Sequence, residues 1–164
     1  MSSDDWYRNV EWNEDVEAYF YEKLKRSRSQ REQYMVIQAN YLVNTFPSVT
    51  LRIVDEYFES RKDQYEDVRA YLAQAEAYMS LNKMKEAMNS YRLLLKREEE
   101  YPNHRTTSCV DYPYIVATQA LDDEYDNALN ILFKNEKNCL FPLDKFKWHA
   151  SIAILKLDSS HAKL

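Results

Sequence analysis

The chain contains no glycine, although an average protein of its 164 residues would carry about 11. This absence excludes glycine-rich phosphate loops, the dinucleotide-binding fingerprint and the G-x-S-x-G nucleophile elbow. Tight hairpin turns also become costly, because glycine adopts a positive φ most readily. The sequence therefore favours helices joined by turns in which asparagine takes the left-handed position, and Asn44, Asn82, Asn103 and Asn135 are placed for that role.

Cysteine and long apolar runs are scarce as well. Cys109 and Cys139 are too few for a disulfide framework, so we expect free thiols in a reducing compartment. Residues 1–15 are acidic and lack the apolar segment of a signal peptide. No run approaches the roughly 18 apolar residues that a transmembrane helix needs. These features predict a cytoplasmic protein with no membrane partner.

The charge balance is mildly acidic, with 22 Lys and Arg against 27 Asp and Glu and a net charge of -5. A general nucleic-acid binder needs a basic surface, so nucleic acid is an unfavoured partner. One basic cluster stands out, and it consists of Lys23, Lys25, Arg26, Arg28 and Arg31. It is either an anion or RNA contact or, as we favour, a cationic helix end that complements the helix dipole. The run 96–100 is interpreted in the same way, as a solvated helix end.

Residues that commonly carry catalysis or bind metals do not cluster in this sequence. His104, His149 and His161 are scattered, and neither an HExxH motif nor a Cys/His pair at ligand spacing is present. Cys109 and His104 could form a nucleophile–base pair, but no third group is placed to orient them. We therefore predict no catalytic residue, no metal site and no cofactor.

The clearest positive signal is the helical periodicity of residues 68–95. Two apolar stripes at i, i+3, i+4, i+7 spacing flank a polar break at 81–83, which is short enough to force an antiparallel helix pair. Ala75 and Ala87 are placed where the two backbones come closest. The first stripe contains Tyr71, Leu72, Ala75, Tyr78 and Met79, and the second contains Met84, Ala87, Met88, Tyr91, Leu94 and Leu95.

The rest of the chain has the same organisation. A first helix within 13–28 starts at Asn13 as N-cap, and Ser29 with Glu32 predicts a capping box for the next helix. The hairpin at 30–61 repeats the hairpin at 65–97 with an offset of 36 residues, which matches Ala39 to Ala75. A third hairpin is predicted at 111–134. A last helix at 143–157 covers the final apolar face with Phe146, His149, Ile152, Ala153 and Leu155.

The hairpin at 65–97 resembles a tetratricopeptide repeat. Tyr71, Ala75, Tyr78, Ala87 and Tyr91 occupy the aromatic, small, large, small and aromatic positions of that family, and the resemblance extends over about residues 30–134. The chain is similar to short bacterial proteins of this type that have no assigned function. The resemblance implies an all-α single domain over 1–164. Its architecture is a short right-handed superhelix of about three antiparallel helix pairs between N- and C-terminal capping helices.

The same resemblance implies a protein- or peptide-binding scaffold whose ligand lies on the concave face. The residues expected there are Gln33, Asn40, Asn44, Arg69, Glu76 and Tyr114. The clamp that some family members use for a terminal carboxylate is missing, because Val36, Ala73, Asp111 and Ile115 replace its Lys, Asn, Lys and Arg.

The expected ligand is therefore an internal extended or helical segment, gripped by Asn40, Asn44, Arg69 and Tyr114. Tyr112 and Tyr114, which flank Pro113, are predicted to be the tyrosines most exposed for binding. The alternative function is a self-associating structural protein, a homodimer in which a copy of the chain fills the groove or covers the end helix.

Overall fold

The computed structural model describes residues 5–161, with side chains described through residue 157. The fold is all-α, as predicted, and no strand occurs within 5–161. Three short 3-10 turns lie at Pro102–His104, Asp122–Glu124 and Glu136–Asn138. The α-helices are α1 Glu14–Arg26, α2 Arg31–Leu42, α3 Pro47–Ser60, α4 Asp67–Ser80, α5 Met84–Glu100, α6 Ser108–Thr118, α7 Tyr125–Asn135 and α8 Pro142–His161.

The helices form two compact units that divide after His104. In the first unit α2 contacts α3 and α4, α3 contacts α4, and α4 contacts α5, while α1 packs against α2. In the second unit α6, α7 and α8 all contact one another. Each unit thus buries its apolar helix faces by packing consecutive helices side by side.

The segment before α1 is held against the first unit by its two tryptophans. Trp6 and Trp12 both pack on the buried Phe20 ring, at centroid distances of 5.7 and 5.6 Å. The buried Gln38 side chain fixes the segment further, because its Nε2 donates to the Asn9 carbonyl at 2.8 Å and its Oε1 accepts from the Asn9 backbone N–H at 3.0 Å. A buried amide is acceptable here because both of its ends are hydrogen-bonded.

Two predicted helix starts have different outcomes. Asn13 is the N-cap of α1, and its Oδ1 accepts from the Val16 N–H at 3.0 Å. The capping box at Ser29 is wrong, since α2 begins at Arg31 after Gln30 without a side-chain cap. Glu32 instead forms a tertiary contact, in which its carboxylate accepts a hydrogen bond from the Lys62 backbone N–H at 2.9 Å.

The left-handed positions differ in part from the predicted ones. Asn82, with φ 57°, takes the role expected of it between α4 and α5. The other described residue with positive φ is Ala120, at 50°, so the assignments of Asn44, Asn103 and Asn135 are wrong. Asn135 is instead the last residue of α7, and its Nδ2 donates to the Ile131 carbonyl at 2.9 Å.

Burial corrects the predictions for the third hairpin and the last helix. Tyr112 is fully buried, with its hydroxyl donating to Glu124 at 2.7 Å, so its predicted exposure is wrong. In α8 Leu155 is buried as expected, but Phe146, Ala153 and His149 are exposed. The reason is geometric, since α8 turns the face of Ser151 and Leu155 towards its neighbours and leaves an apolar face on its opposite side uncovered.

Ala87 is fully buried in the α4–α5 pair, and this predicts a cost for any larger side chain. Ala87→Leu should lower the free energy of unfolding by about 1–3 kcal/mol, because added methylenes overpack a close helix contact. Urea unfolding measures the change. Ala18→Leu, at an exposed site in α1, is the matched control and should be close to neutral. Equal stability of both variants would contradict the close approach at Ala87.

The left-handed backbone conformation of Ala120 predicts that a smaller residue at this position would make the protein more stable. A left-handed conformation costs an L-residue about 1–2 kcal/mol, and glycine avoids most of that cost at a smaller entropic penalty. Ala120→Gly should therefore raise the free energy of unfolding by about 0.5–1 kcal/mol. Ala18→Gly, inside α1, should instead lower it by about 1 kcal/mol. Destabilisation by both substitutions would show that residue 120 is not left-handed in solution.

Candidate functional site

The residues predicted for a ligand-binding stripe fall mainly on α2 and α4, which contact each other in the first unit. Gln33, Asn40 and Glu76 are half-buried, whereas Asn44 and Arg69 are exposed. Asn44 lies beyond the end of α2 at Leu42, so it belongs to the turn. The surface that these residues form is polar and mixed in charge.

The Asn40 and Arg69 side chains already have intramolecular partners. Asn40 Nδ2 donates to the Val36 carbonyl at 2.8 Å, and Arg69 Nη1 lies 3.7 Å from Glu66 Oε2. Both contacts leave further polar atoms, since an amide oxygen and the remaining guanidinium donors can each bind a ligand. Val36 itself is buried and belongs to the core.

Tyr114, the remaining predicted site residue, belongs to the second unit. It is half-buried on α6, and its ring centroid lies 6.3 Å from that of Phe146 on α8. It therefore borders the uncovered apolar face of α8.

A cleft of 660 Å³ lies between α3, α4 and α5 of the first unit. Its volume falls within the range of about 300–1,000 Å³ that ligand sites occupy. The sequence analysis did not predict this site. The run Leu93–Leu95 contained a signal of an exposed apolar residue, because three consecutive leucines cannot all face inward on one helix. The lining contains Phe58, Tyr71, Tyr78 and Leu93, the polar Gln74, Asn89 and Ser90, and the charged Lys85, Glu86 and Arg92.

The cleft combines aromatic rings with fixed polar groups. The Phe58 and Tyr71 rings pack at 4.7 Å, and burial raises the pKa of both Tyr71 and Tyr78, so their hydroxyls stay neutral. Ser90 Oγ lies 2.9 Å from Gln74 Oε1 and donates a hydrogen bond to it. Such a surface can pack an apolar or aromatic side chain and hydrogen-bond a peptide backbone.

A buried ionic network lies where α3, α4 and α5 meet. Asp67, the first residue of α4, accepts a hydrogen bond from the Tyr57 hydroxyl at 2.8 Å. Arg61 Nε lies 3.2 Å from Asp67 Oδ1, and Arg97 Nε lies 3.5 Å from Asp67 Oδ2. Arg97 also binds Gln64 through its guanidinium. The predicted solvated end at 96–100 is therefore wrong for Arg97, as it is for the buried Glu98.

Burial has the largest effect on the pKa values of the carboxylates in and beside this network. It raises the pKa of Asp67, while the Tyr57 hydrogen bond and the charges of Arg61 and Arg97 oppose that rise. It also raises the pKa of Glu66, which Arg69 opposes. The network is compact and buried, so we assign it to stability and not to ligand binding.

The Cys139 thiol does not show the activation that nucleophilic catalysis requires. Neither Cys109 nor Cys139 takes part in a disulfide bond. Cys139 lies in a cleft of 180 Å³ with Trp148 and the exposed His149, but burial and nearby carboxylates raise the pKa of its thiol. A catalytic cysteine needs a lowered pKa, so this arrangement does not suit one.

The basic cluster at the end of α1 has local partners. Lys23, Lys25 and Arg26 occupy the last turn of that helix. Arg26 forms an ion pair with Glu22 at 2.5 Å, and Lys23 Nζ lies 5.2 Å from the Tyr19 ring centroid. These contacts favour the interpretation of a helix terminus over that of an anion site.

In comparisons with known proteins, no family model, no curated protein and no solved structure matches this chain. Within the part of the chain that the structure describes, no group of three or more His, Cys, Asp or Glu side chains could hold a metal ion. Over the same residues, no helix combines the length and apolar character needed to cross a membrane.

The ionic network predicts a pH-dependent cost for losing Arg97. Because the pKa of Asp67 is raised in the folded protein, its contribution to stability is largest below the ordinary carboxyl pKa and falls as the pH rises through the raised value. Removing the Arg97 charge raises that pKa further. Arg97→Met should therefore cost about 3 kcal/mol at about pH 7 and clearly less at about pH 4, where a larger fraction of Asp67 is protonated and needs no cation.

Urea unfolding at the two pH values tests this prediction. Lys96→Met, at an exposed position of the same helix, is the control and should change stability by less than about 0.5 kcal/mol at either pH. A cost for Arg97→Met that does not depend on pH would show that lost packing, and not the charge, accounts for the effect.

Proposed function

We propose that the protein is a binding module whose first unit holds a peptide segment of another protein. The observation that carries this proposal is the cleft between α3, α4 and α5, which joins an aromatic floor to hydrogen-bonding side chains. The arrangement of α2 to α5 as two successive helix hairpins supports the resemblance to tetratricopeptide repeats. The matched positions Ala39 and Ala75 are both fully buried, in agreement with a repeat.

The ligand chemistry follows from the lining of the cleft. Phe58, Tyr71, Tyr78 and Leu93 offer apolar contact to one or two large side chains of the peptide. The exposed Asn89 amide and the half-buried Gln74 amide, which Ser90 holds by a hydrogen bond, offer donors and acceptors to its backbone. An internal segment with an aromatic or aliphatic anchor is the class of ligand that this site suits.

The stripe on α2 and α4 is the second candidate surface for the same function. It was expected to use Asn40, Asn44 and Arg69, which present amide and guanidinium groups without an aromatic floor. The α4 residues of the stripe, Arg69 and Glu76, do not line the cleft. The two surfaces can therefore be separated by mutation.

A phage-displayed library of random dodecapeptides, selected on the immobilised protein, supplies the ligand for a direct test. Leu93→Asp should weaken binding of the selected peptide by at least about tenfold, because it places an unpaired charge against the apolar anchor. Fluorescence anisotropy measures the dissociation constant. Leu140→Asp in the second unit, where Leu140 is 72% exposed, is the matched control and should leave binding unchanged.

The α2–α4 stripe has its own variant in the same assay. Asn40→Ala combined with Arg69→Ala should leave binding unchanged if the ligand lies in the cleft. A loss of at least about tenfold in this double variant, with none in Leu93→Asp, would move the site to the stripe. Loss only on neutralising Arg26, Arg28 and Arg31 would move it to the basic cluster. Selection of no peptide would count against the proposed function itself.

A further inference from the structure

Helix α8 carries an apolar seam on a face that the second unit leaves uncovered. Its large members Leu143, Phe146 and Leu157 are 60%, 59% and 62% exposed, and Ala153 between them is exposed as well. The positions follow the a and d spacing of a heptad repeat, which brings them onto one line of the helix. The seam consists of Leu143, Phe146, Ala150, Ala153 and Leu157, of which Ala150 is half-buried and the others are exposed.

The side of α8 opposite the seam packs against α6 and α7, so the seam is separate from the core of the second unit. Ser151 and Leu155 are fully buried, and Trp148 Nε1 donates to the Leu132 carbonyl of α7 at 3.1 Å. Lys147 Nζ lies 2.5 Å from Asp111 of α6. These contacts hold α8 as a formed helix, so a partner that covers the seam would not have to pay for helix formation.

We propose that the seam is the interface of an antiparallel dimer, in which α8 of a second copy of this chain covers it. The sizes of the seam residues support this occupant, because they run large, small, small, large from Phe146 to Leu157. A two-fold axis between residues 150 and 153 sets Phe146 opposite Leu157 of the second copy. The same axis sets Ala150 opposite Ala153, where small side chains allow the helices to approach closely.

From Phe146 to Leu157 the seam is thus self-complementary, as a two-fold interface requires, since the same patch must fit itself after rotation. A helix of unrelated sequence would need a matching order of large and small residues. Tyr114, which borders the seam beside Phe146, adds an aromatic edge with a polar tip to the interface.

The area of the seam sets the strength of the dimer. Specific interfaces usually bury about 800 Å² on each partner, and one helix with three large exposed side chains provides less than that. The seam also spans only about two heptads, fewer than a free-standing coiled coil needs. We therefore expect a weak dimer with a dissociation constant on the order of 10–100 µM.

Sedimentation equilibrium of the full chain between about 1 µM and about 1 mM tests the association itself. The expected result is a monomer–dimer equilibrium that Phe146→Ser combined with Leu157→Ser weakens by at least about tenfold. Leu140→Ser, at an exposed site outside the seam, should leave it unchanged. Circular dichroism and thermal unfolding check that the variants remain folded. A dimer that survives the double variant would overturn the proposal, because another face would then hold it.

Disulfide trapping tests the orientation. In a background with Cys109→Ser and Cys139→Ser, a mixture of Ala150→Cys and Ala153→Cys proteins should form the mixed disulfide faster than either protein bridges with itself, because the antiparallel axis places residue 150 nearest residue 153. Preferred bridging of identical positions would indicate parallel helices and overturn the arrangement. A protein that stays monomeric to about 1 mM would overturn the dimer and leave the seam to a helix of a different protein.

Discussion

The carboxylate of Asp67 is the group on which the first unit depends most. It lies at the start of α4, and its hydrogen bond from Tyr57 and its ion pairs with Arg61 and Arg97 join the end of α3 to the end of α5. Burying this charge is costly, and its raised pKa shows that these partners offset only part of the cost. The network therefore fixes where the three helices meet. The cleft lies between the same helices, so its shape depends on that junction.

The absence of glycine is a second constraint, and it acts on the connections. Asn82 takes the left-handed position between α4 and α5 at little cost, because its side chain tolerates that conformation. Ala120 takes the corresponding position between α6 and α7 without such help. The chain thus accepts local strain in one turn to keep a short helix connection, and the packing of the helices on either side holds it there.

The two units present different kinds of surface. The first offers a concave cleft with an aromatic floor and fixed polar groups, a combination suited to a peptide. The second offers a convex apolar seam on α8, suited to another helix. A binding module that also associates weakly with itself gains effective concentration for paired ligands, because two sites are then linked. The proposed function and the proposed dimer would then reinforce each other while remaining separately testable.

Local sequence determined much of this fold. The periodicity of apolar residues gave the helical class and the hairpin at 65–97, because burial at a spacing of 3.6 residues is a property of each segment by itself. The N-cap at Asn13 and the turn at Asn82 were equally local and were predicted correctly. The capping box at Ser29 and the exposed Tyr112 failed for the opposite reason, since distant residues decided both. The Glu32 carboxylate accepts a hydrogen bond from the Lys62 backbone N–H, and the Tyr112 hydroxyl donates one to Glu124.

Only tertiary structure could show which polar residues are buried and which apolar ones are not. Arg97 looked solvated within a run of charges, yet it is buried because Asp67, thirty positions earlier, lies against it. Phe146 looked like a core residue, yet it is exposed because α8 has two apolar faces and its neighbours cover one of them. The sequence by itself determined that this protein is helical. The packing of the helices decided where the cleft lies and which apolar residues of α8 remain exposed. Burial depends on the neighbouring helices, and the apolar periodicity of one segment does not identify them.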